Sequence, residues 1–199
     1  MSKSDPAAQK RERHKAARWV VTIFFVTILI SGIITLLSDI IMSASTMVVA
    51  FLILLVIILV GIIFDIIGMA VATADEKPFH SMAARKVPGA QEAIALLRNA
   101  ERVSSICNDV VGDICGVVSG SASATIAAQI IANFDFSWPQ VISLAMSALA
   151  AGLTVGGKAI GKSFAVNSCT AIVHTVGRLL YTMKHLPDLF RKKRNIKKK

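Results

Sequence analysis

Two long apolar runs near the N-terminus constrain this chain more than any other feature. Trp19–Leu37 contains no charged residue, and Thr46–Ile67 is interrupted only by Asp65. Each run is close to the ~20 residues that a helix needs to cross the hydrocarbon core of a bilayer. Because Met42–Ser45 leaves room only for a tight turn, the two runs predict an antiparallel helical hairpin within a membrane.

The composition extends this prediction to the whole chain. Of its 199 residues, 54% are hydrophobic, and the mean hydropathy is +0.65, which is too apolar for an ordinary soluble domain. We therefore predict an all-α fold, a polytopic membrane helical bundle with about four transmembrane helices. The predicted segments are a basic tail at 1–18, a membrane domain at 19–190 with spans at about 19–41, 46–70, 104–132 and 139–157, and a second basic tail at 191–199.

The segments between the spans are predicted to lie on the membrane surface. Asp75–Arg102 contains Pro78, Pro88 and Gly89, mixes both signs of charge, and becomes amphipathic after Gln91. A second stretch, at about 163–185, is apolar but interrupted by polar residues. We expect two short interfacial helices within about 78–102 and an interfacial or partly re-entrant helix at about 163–185.

The basic residues are unevenly placed, and this predicts the orientation. Six Lys or Arg residues fall within Met1–Arg18 and seven within the last nine residues, whereas Met42–Ser45 and Asn133–Pro139 contain none. Cytoplasmic loops carry an excess of Lys and Arg. We therefore expect a multi-pass protein of the cell membrane with both termini in the cytoplasm.

The basic ends also indicate partners. They would attract anionic lipid, at about 1 kcal/mol per basic residue near the surface. Nucleic acid would attract them too, but the chain offers no interleaved aromatic platform, so we expect lipid and no nucleic acid.

Signals of an enzyme are missing from the sequence. The three cysteines (Cys107, Cys115 and Cys169) lie in apolar surroundings, without the clustering of a disulfide framework or a zinc site. His174 stands alone on an apolar stretch, and no Walker loop or dinucleotide fingerprint occurs. We expect the protein not to be an enzyme.

The third predicted span carries the polar side chains that are the main candidates for a functional site. Ser104–Ala128 is apolar overall but contains Asn108, Asp109 and Asp113, and as an α-helix it would have Asp109 and Asp113 on one face. A carboxylate inside a span costs roughly 2.5–3.5 kcal/mol on insertion scales and is a functional hypothesis by default. Small residues recur every fourth position beside the acids and predict close helix packing; the glycines among them are Gly112, Gly116 and Gly120.

Three segments resemble the CNNM/CorC transmembrane domain, a family associated with transport of magnesium and other divalent cations. They are Phe64–Ala70, Gly89–Arg102 with the polar helix after it, and Gly157–Val166. The resemblance covers about Thr46 to Phe190 and leaves the first span outside. It implies a homodimer that handles Mg²⁺ at the polar part of the third span.

The chain departs from the family pattern at several positions. Gly68 stands where the family has a glutamate, and Gly157-Lys158-x-x-Gly161-Lys162 replaces Gly-Glu-x-x-Pro-Lys, so an acid has become a base. Carboxylates stand near Asn108–Asp113, where the family has asparagines. Few residues follow Phe190, so we do not expect the family's cytoplasmic CBS domains, and a separate regulatory partner could replace them.

Three interpretations of the acids stay open. Mg²⁺ prefers octahedral oxygen ligands, and a helix kink near Asn108–Gly112 would free backbone carbonyls for it; the predicted ligands are Asp65, Asn108, Asp109 and Asp113. Alternatively, the acids pair with Lys158, Lys162 or Arg102 in a structural network. Thirdly, they reach water at the cytoplasmic edge. The chain is accordingly either a cation-handling protein or a membrane interaction or regulatory protein that has lost the ion site.

Overall fold

A computed structural model describes residues 6–133 and 138–196, with side chains for 18–133 and 138–185. Every regular element in these ranges is helical, which confirms the predicted all-α fold. The elements are α1 (Pro6–Ser43), α2 (Met47–Thr73), α3 (Lys77–Ala84), α4 (Ala90–Arg98), α5 (Ala100–Ser105), a π-helix (Ile106–Gly112), α6 (Asp113–Asn133), α7 (Pro139–Asn167) and α8 (Cys169–Ile196).

Four helical stretches are long and apolar enough to cross a membrane, as predicted. They are Arg18–Ser43, Met47–Thr73, Ala100–Asn133 and Pro139–Asn167. The third is continuous through α5, the π-helix and α6. Large apolar side chains on these helices are exposed, for example Leu29 at 65% and Leu52 at 57%. Exposed apolar surface on this scale suits lipid rather than water, and the chain is a multi-pass membrane protein.

The predicted boundary between the fourth span and the last helix is wrong. Instead of ending near residue 157, α7 continues to Asn167, and the helix predicted at 163–185 begins at Cys169. The sequence favoured a break because Gly156, Gly157 and Gly161 lie close together. In the structure a Cβ at Gly161 would approach Ile66 Cγ1 to 2.8 Å, so this glycine serves close packing against α2 rather than a turn.

The stretch at 78–102, predicted to form two short helices, contains α3 and α4. They are separated by a turn in which Lys86 has φ +56° and Gly89 has φ +87°. The break before the third span falls at Asn99, whose side-chain amide donates to the Ala95 carbonyl oxygen at 3.0 Å. Residues 100–102 therefore belong to the helix of the third span.

The predicted tails are partly helical. Helix α1 begins at Pro6, inside the predicted tail at 1–18, and α8 reaches Ile196, inside the predicted tail at 191–199. The predicted turn after Asn133 falls largely outside the described residues. The first turn is confirmed, because only Ala44–Thr46 separate α1 from α2.

The chain divides into two compact units. One comprises the described residues of Met1–Ile57 and Ile114–Ala150. Side chains from α1, α2, α6 and α7 are buried within it: Met42, Ala50, Leu54, Ile114, Val118, Ala122, Ile126, Ala127, Met146 and Ala150.

The other unit comprises the described residues of Ile58–Asp113 and Ala151–Lys199. Its core contains Phe79, which has no exposed surface, and the smaller residues packed around it: Ala70, Val71, Ala93, Leu97, Ala165 and Val173. Helices α4 and α8 cross backbone to backbone. A Cβ at Gly177 would lie 3.0 Å from the amide nitrogen of Ala93, so only glycine allows this approach.

Candidate functional site

Lys158 of α7 lies against oxygens of three other residues of its unit, one each from α2, the π-helix and the start of α6. Its Nζ is 3.4 Å from the Gly112 carbonyl oxygen, 3.7 Å from Asp65 Oδ1 and 4.0 Å from Asp113 Oδ1. The structure thus brings two of the predicted metal ligands, Asp65 and Asp113, to one ammonium group. Of the three interpretations left open by the sequence, this contact favours the structural network.

The two carboxylates are in different environments. The Asp65 side chain is only 8% exposed, whereas that of Asp113 is 72% exposed. A buried carboxylate needs a counter-charge because desolvation disfavours its ionised form. Asp65 is therefore the main partner of Lys158, and Asp113 is an outer partner that solvent or lipid headgroups can reach.

Glycine makes room for the ammonium group. A Cβ at position 112 would lie 3.3 Å from Lys158 Nζ and 3.8 Å from Asp65 Oδ1. Gly112, predicted as a helix-packing residue, thus lies beside this ion pair. It also ends the π-helix, and π-helical turns are frequent at functional sites. The predicted kink near Asn108–Gly112 coincides with this π-helix.

Asn108 faces α2 but leaves an acceptor unused. Its Nδ2 donates to Ser104 Oγ at 3.3 Å, while Oδ1 is buried without a hydrogen-bond partner. This oxygen occupies the space beside Gly68, the position where the family pattern has a glutamate. Asp65 Oδ2 is likewise buried without a hydrogen-bond partner.

Asp109 belongs to a different surface. It is exposed, and its Oδ2 accepts a hydrogen bond from Ser105 Oγ at 2.7 Å. Both residues line an open groove of about 350 Å³ together with Ala72, Ala100, Glu101, Ser104 and Asn108. The sequence placed Asp109 and Asp113 on one helical face, but a π-turn pairs residues i and i+5 rather than i and i+4. The two acids therefore have different partners.

The four predicted ligands do not converge on one point. Among the residues that the structure describes, no group of three or more His, Cys, Asp or Glu side chains could hold a metal ion. Lys162, predicted as a second modulating base, is exposed on α7. The ion pairs described here are made by Lys158 instead.

Of the three glycines that recur every fourth residue in the third span (Gly112, Gly116 and Gly120), not all pack against another element. A Cβ at Gly116 or Gly120 would meet nothing within 4 Å. Among the described residues, close packing at these three glycines is seen only at Gly112, and a partner helix against Gly116 and Gly120, from this chain or another, stays a prediction.

Sequence reasoning missed a polar cluster in the other unit. Asp39 of α1 lies near two hydroxyl groups of α6, those of Ser121 and Thr125. One turn further on, Gln129 Nε2 donates to the Met42 carbonyl oxygen at 2.9 Å. The spacing of Ser121, Thr125 and Gln129 every fourth residue was the signal that could have shown a polar face. His174 was noted only as a lone histidine, and its Nε2 is buried without a hydrogen-bond partner.

Comparison with known proteins adds no family. No protein-family model, curated protein or solved structure matches this chain.

Proposed function

We propose that this multi-pass membrane protein is an interaction or regulatory protein in which Lys158 takes the place of a bound cation. The observation that carries the proposal is the position of Lys158 Nζ, 3.7 Å from the buried carboxylate of Asp65. The ammonium group of Lys158 is covalently attached to the chain and cannot diffuse away from this carboxylate. A divalent ion could bind here only by displacing it. The protein then keeps a folded site, in which the buried carboxylate of Asp65 has a counter-charge, without moving ions through it.

The rest of the proposal follows from the charge pattern and from the family resemblance. We propose a location in the cell membrane with both termini in the cytoplasm, and anionic lipid at the basic ends. The resemblance suggests a homodimer, and a separate chain would supply any regulation.

A second function, binding or transport of a divalent cation such as Mg²⁺, is favoured by one observation. Asp65 Oδ2 and Asn108 Oδ1 are both buried acceptors without a hydrogen-bond partner. Unsatisfied buried polar atoms are uncommon in folded proteins and call for an explanation. Mg²⁺ binds to carboxylate and amide oxygens, and two such oxygens near a π-helix would be ligands if Lys158 moved aside.

Magnesium flux into vesicles separates the two functions. Purified protein is reconstituted with a Mg²⁺ indicator inside the vesicles, and the wild type is compared with Asp65→Asn, Lys158→Met and the exposed control Asp75→Asn. The proposal expects wild-type flux at the protein-free baseline. Flux above that baseline that is lost in Asp65→Asn but kept in Asp75→Asn would instead establish the transport function.

A binding measurement tests the role of Lys158 directly. If the ammonium replaces a cation, Lys158→Met should gain thermal stabilisation by MgCl₂, and Asp65→Asn/Lys158→Met should lose it again. If MgCl₂ stabilised the wild type as much as Lys158→Met, the proposal would be contradicted, because Lys158 would then not prevent Mg²⁺ from binding.

A further inference from the structure

An open groove of about 430 Å³ lies between the later part of α2 and the point where α7 meets α8. Its walls are apolar side chains of these three helices: Ile63, Ile66 and Ile67 on one side, and Phe164, Ile172 and Val176 on the other. All of these residues belong to the unit that comprises the described residues of Ile58–Asp113 and Ala151–Lys199. The groove is therefore a feature of one compact unit.

The groove offers few polar contacts. Only Ser168 and Thr175 bring hydroxyl groups to its lining, and Thr175 Oγ1 donates to the Ala171 carbonyl oxygen at 2.8 Å within α8. An ordered water molecule needs two to four polar partners, and apolar cavities without them stay dry. The groove thus suits an apolar occupant rather than water.

The groove is continuous with surface that faces lipid. Ile63 and Phe164 are 52% and 57% exposed, and both lie in helices that are long and apolar enough to span a membrane. Ile63 and Ile67 lie ten and six residues before Thr73, the end of α2, which is about 15 and 9 Å at 1.5 Å per residue. Since the hydrocarbon core is about 30 Å thick, acyl chains of the leaflet in which α2 ends border the groove.

The size of the groove separates an acyl chain from a partner helix. A helix with its side chains is about 10–12 Å in diameter, so roughly one turn of it would fill the groove. The volume of about 430 Å³ instead corresponds to about fourteen groups of the size of a water molecule, at about 30 Å³ each, and a methylene group is of comparable size. The groove therefore fits one acyl chain and not a membrane span.

Helix α8 supplies positive charge beside the groove. Beyond the groove its apolar face continues with Leu179 and Met183, which are 60% and 59% exposed. At about 100° per residue, Arg178 and Lys184 lie on opposite sides of this apolar face, and both are exposed. No Asp or Glu occurs within residues 169–187. Bases that flank an apolar face are typical of a helix at an anionic membrane surface.

Arg178 follows the groove by one turn of α8. It lies three residues after Thr175, and residues three apart are neighbours on a helix surface. It makes no ion pair among the described residues, and a guanidinium group can bind a phosphate through two parallel hydrogen bonds. We infer that the groove binds one acyl chain of an anionic phospholipid whose phosphate group is held by Arg178. This site is separate from the Lys158 ion pair and from the basic ends, so it does not depend on the proposed function.

Lipid titration of the full-length protein in detergent tests the site. Tm is followed while dioleoyl phosphatidylglycerol or dioleoyl phosphatidylcholine is added in mixed micelles. We expect phosphatidylglycerol to raise the wild-type Tm and to saturate. Phosphatidylcholine should bind at least about tenfold more weakly, which is the loss expected for one charge-assisted hydrogen bond.

Two variants separate the acyl chain from the headgroup. Ala171→Phe places a ring in the groove and should abolish the response to both lipids. Arg178→Gln should lower the affinity for phosphatidylglycerol to that for phosphatidylcholine. The matched controls are Ala159→Phe, on an exposed face of α7 outside the groove, and Lys184→Gln, which removes another exposed base of α8. Both controls should keep the full wild-type response.

A second measurement covers the case in which Ala171→Phe does not fold. In native mass spectrometry the wild type should retain one phosphatidylglycerol in preference to phosphatidylcholine, and Arg178→Gln should not distinguish the two lipids. A wild-type Tm independent of phosphatidylglycerol, an unchanged response in Ala171→Phe, or equal losses in Arg178→Gln and Lys184→Gln would overturn the inference. Stronger stabilisation by oleate than by phosphatidylglycerol would also overturn it, because the occupant would then be a free fatty acid.

Discussion

The side-chain oxygen of Asn108 fills the space that a Cβ on Gly68 would need. Gly68 belongs to α2 and Asn108 to the π-helix. A Cβ on Gly68 would also lie 3.0 Å from Cys107 Cβ. A glycine in α2 is thus required by the packing of a polar side chain, although glycine is a poor helix former.

Replacing this glycine should therefore destabilise the protein. We expect Gly68→Ala to lower the free energy of unfolding by about 1–3 kcal/mol, because the added methyl group overpacks a tight contact. Chemical denaturation in detergent measures this change. Gly116→Ala is the matched control: nothing lies within 4 Å of its Cβ, so the change should be neutral or stabilising by up to about 1 kcal/mol from helix propensity. Equal destabilisation by both changes would contradict the contact.

The Asp65–Lys158 pair predicts a positive coupling in a double-mutant cycle. Asp65→Asn and Lys158→Met should each destabilise by about 3 kcal/mol, because each leaves a buried charge without its partner. The double variant should lose less than the sum of the two, with a coupling energy of about 1–3 kcal/mol. Unfolding midpoints of the four proteins give this number directly. Strict additivity would mean that the two groups do not interact.

The crossing of α4 and α8 predicts that Gly177 tolerates no larger residue. A Cβ there would lie 3.0 Å from Ala93 N and 3.1 Å from Ala93 Cβ, so Gly177→Ala must separate the helices. We expect a loss of at least about 2 kcal/mol in the free energy of unfolding, and faster amide exchange in α4. Gly152→Ala, on an open face of α7, serves as the control. Unchanged exchange in α4 would show that the helices do not depend on this contact.

Cysteine labelling checks the predicted orientation. Ala44 and Ala84 are both exposed; Ala44 lies in the short turn before α2, and Ala84 ends α3, which follows α2 in the chain. In a background where Cys107, Cys115 and Cys169 are alanine, Ala44→Cys should react with a membrane-impermeant maleimide in intact cells. Ala84→Cys should react only after permeabilisation. The reverse pattern would invert the topology, and labelling of both from outside would mean that α2 does not cross the membrane.

Hydropathy predicted the number of candidate membrane spans because spans are set by length and apolar composition alone. It failed to predict the helix ends whose positions depend on tertiary packing. The glycines at 157 and 161 favoured a helix end in the sequence. In the structure α7 is continuous there, and these glycines pack against Ile62 and Ile66. Only the folded structure distinguishes a glycine that ends a helix from one that lets another helix approach.

The candidate site was predicted in part. The spacing rules that placed Asp109 beside Asp113 assume 3.6 residues per turn, and the π-helix between Ile106 and Gly112 violates that assumption. The contact of Lys158 with Asp65 and Asp113 was one of the alternatives that the sequence offered. The Asp39 cluster was not predicted, because its partners are more than eighty residues away along the chain and no local pattern joins them.

The π-helix is equivalent to one extra residue in a turn of the third span. In an uninterrupted α-helix each residue turns the chain by about 100°, so removing one residue between Ile106 and Gly112 would swing the Gly112 carbonyl and Asp113 away from Lys158 by about that angle. A chain that lost the extra residue would keep its hydrophobicity and its span while its ammonium group lost two of its three oxygen neighbours. The lysine and the widened turn therefore depend on each other, and a sequence that changes one of them is expected to change the other.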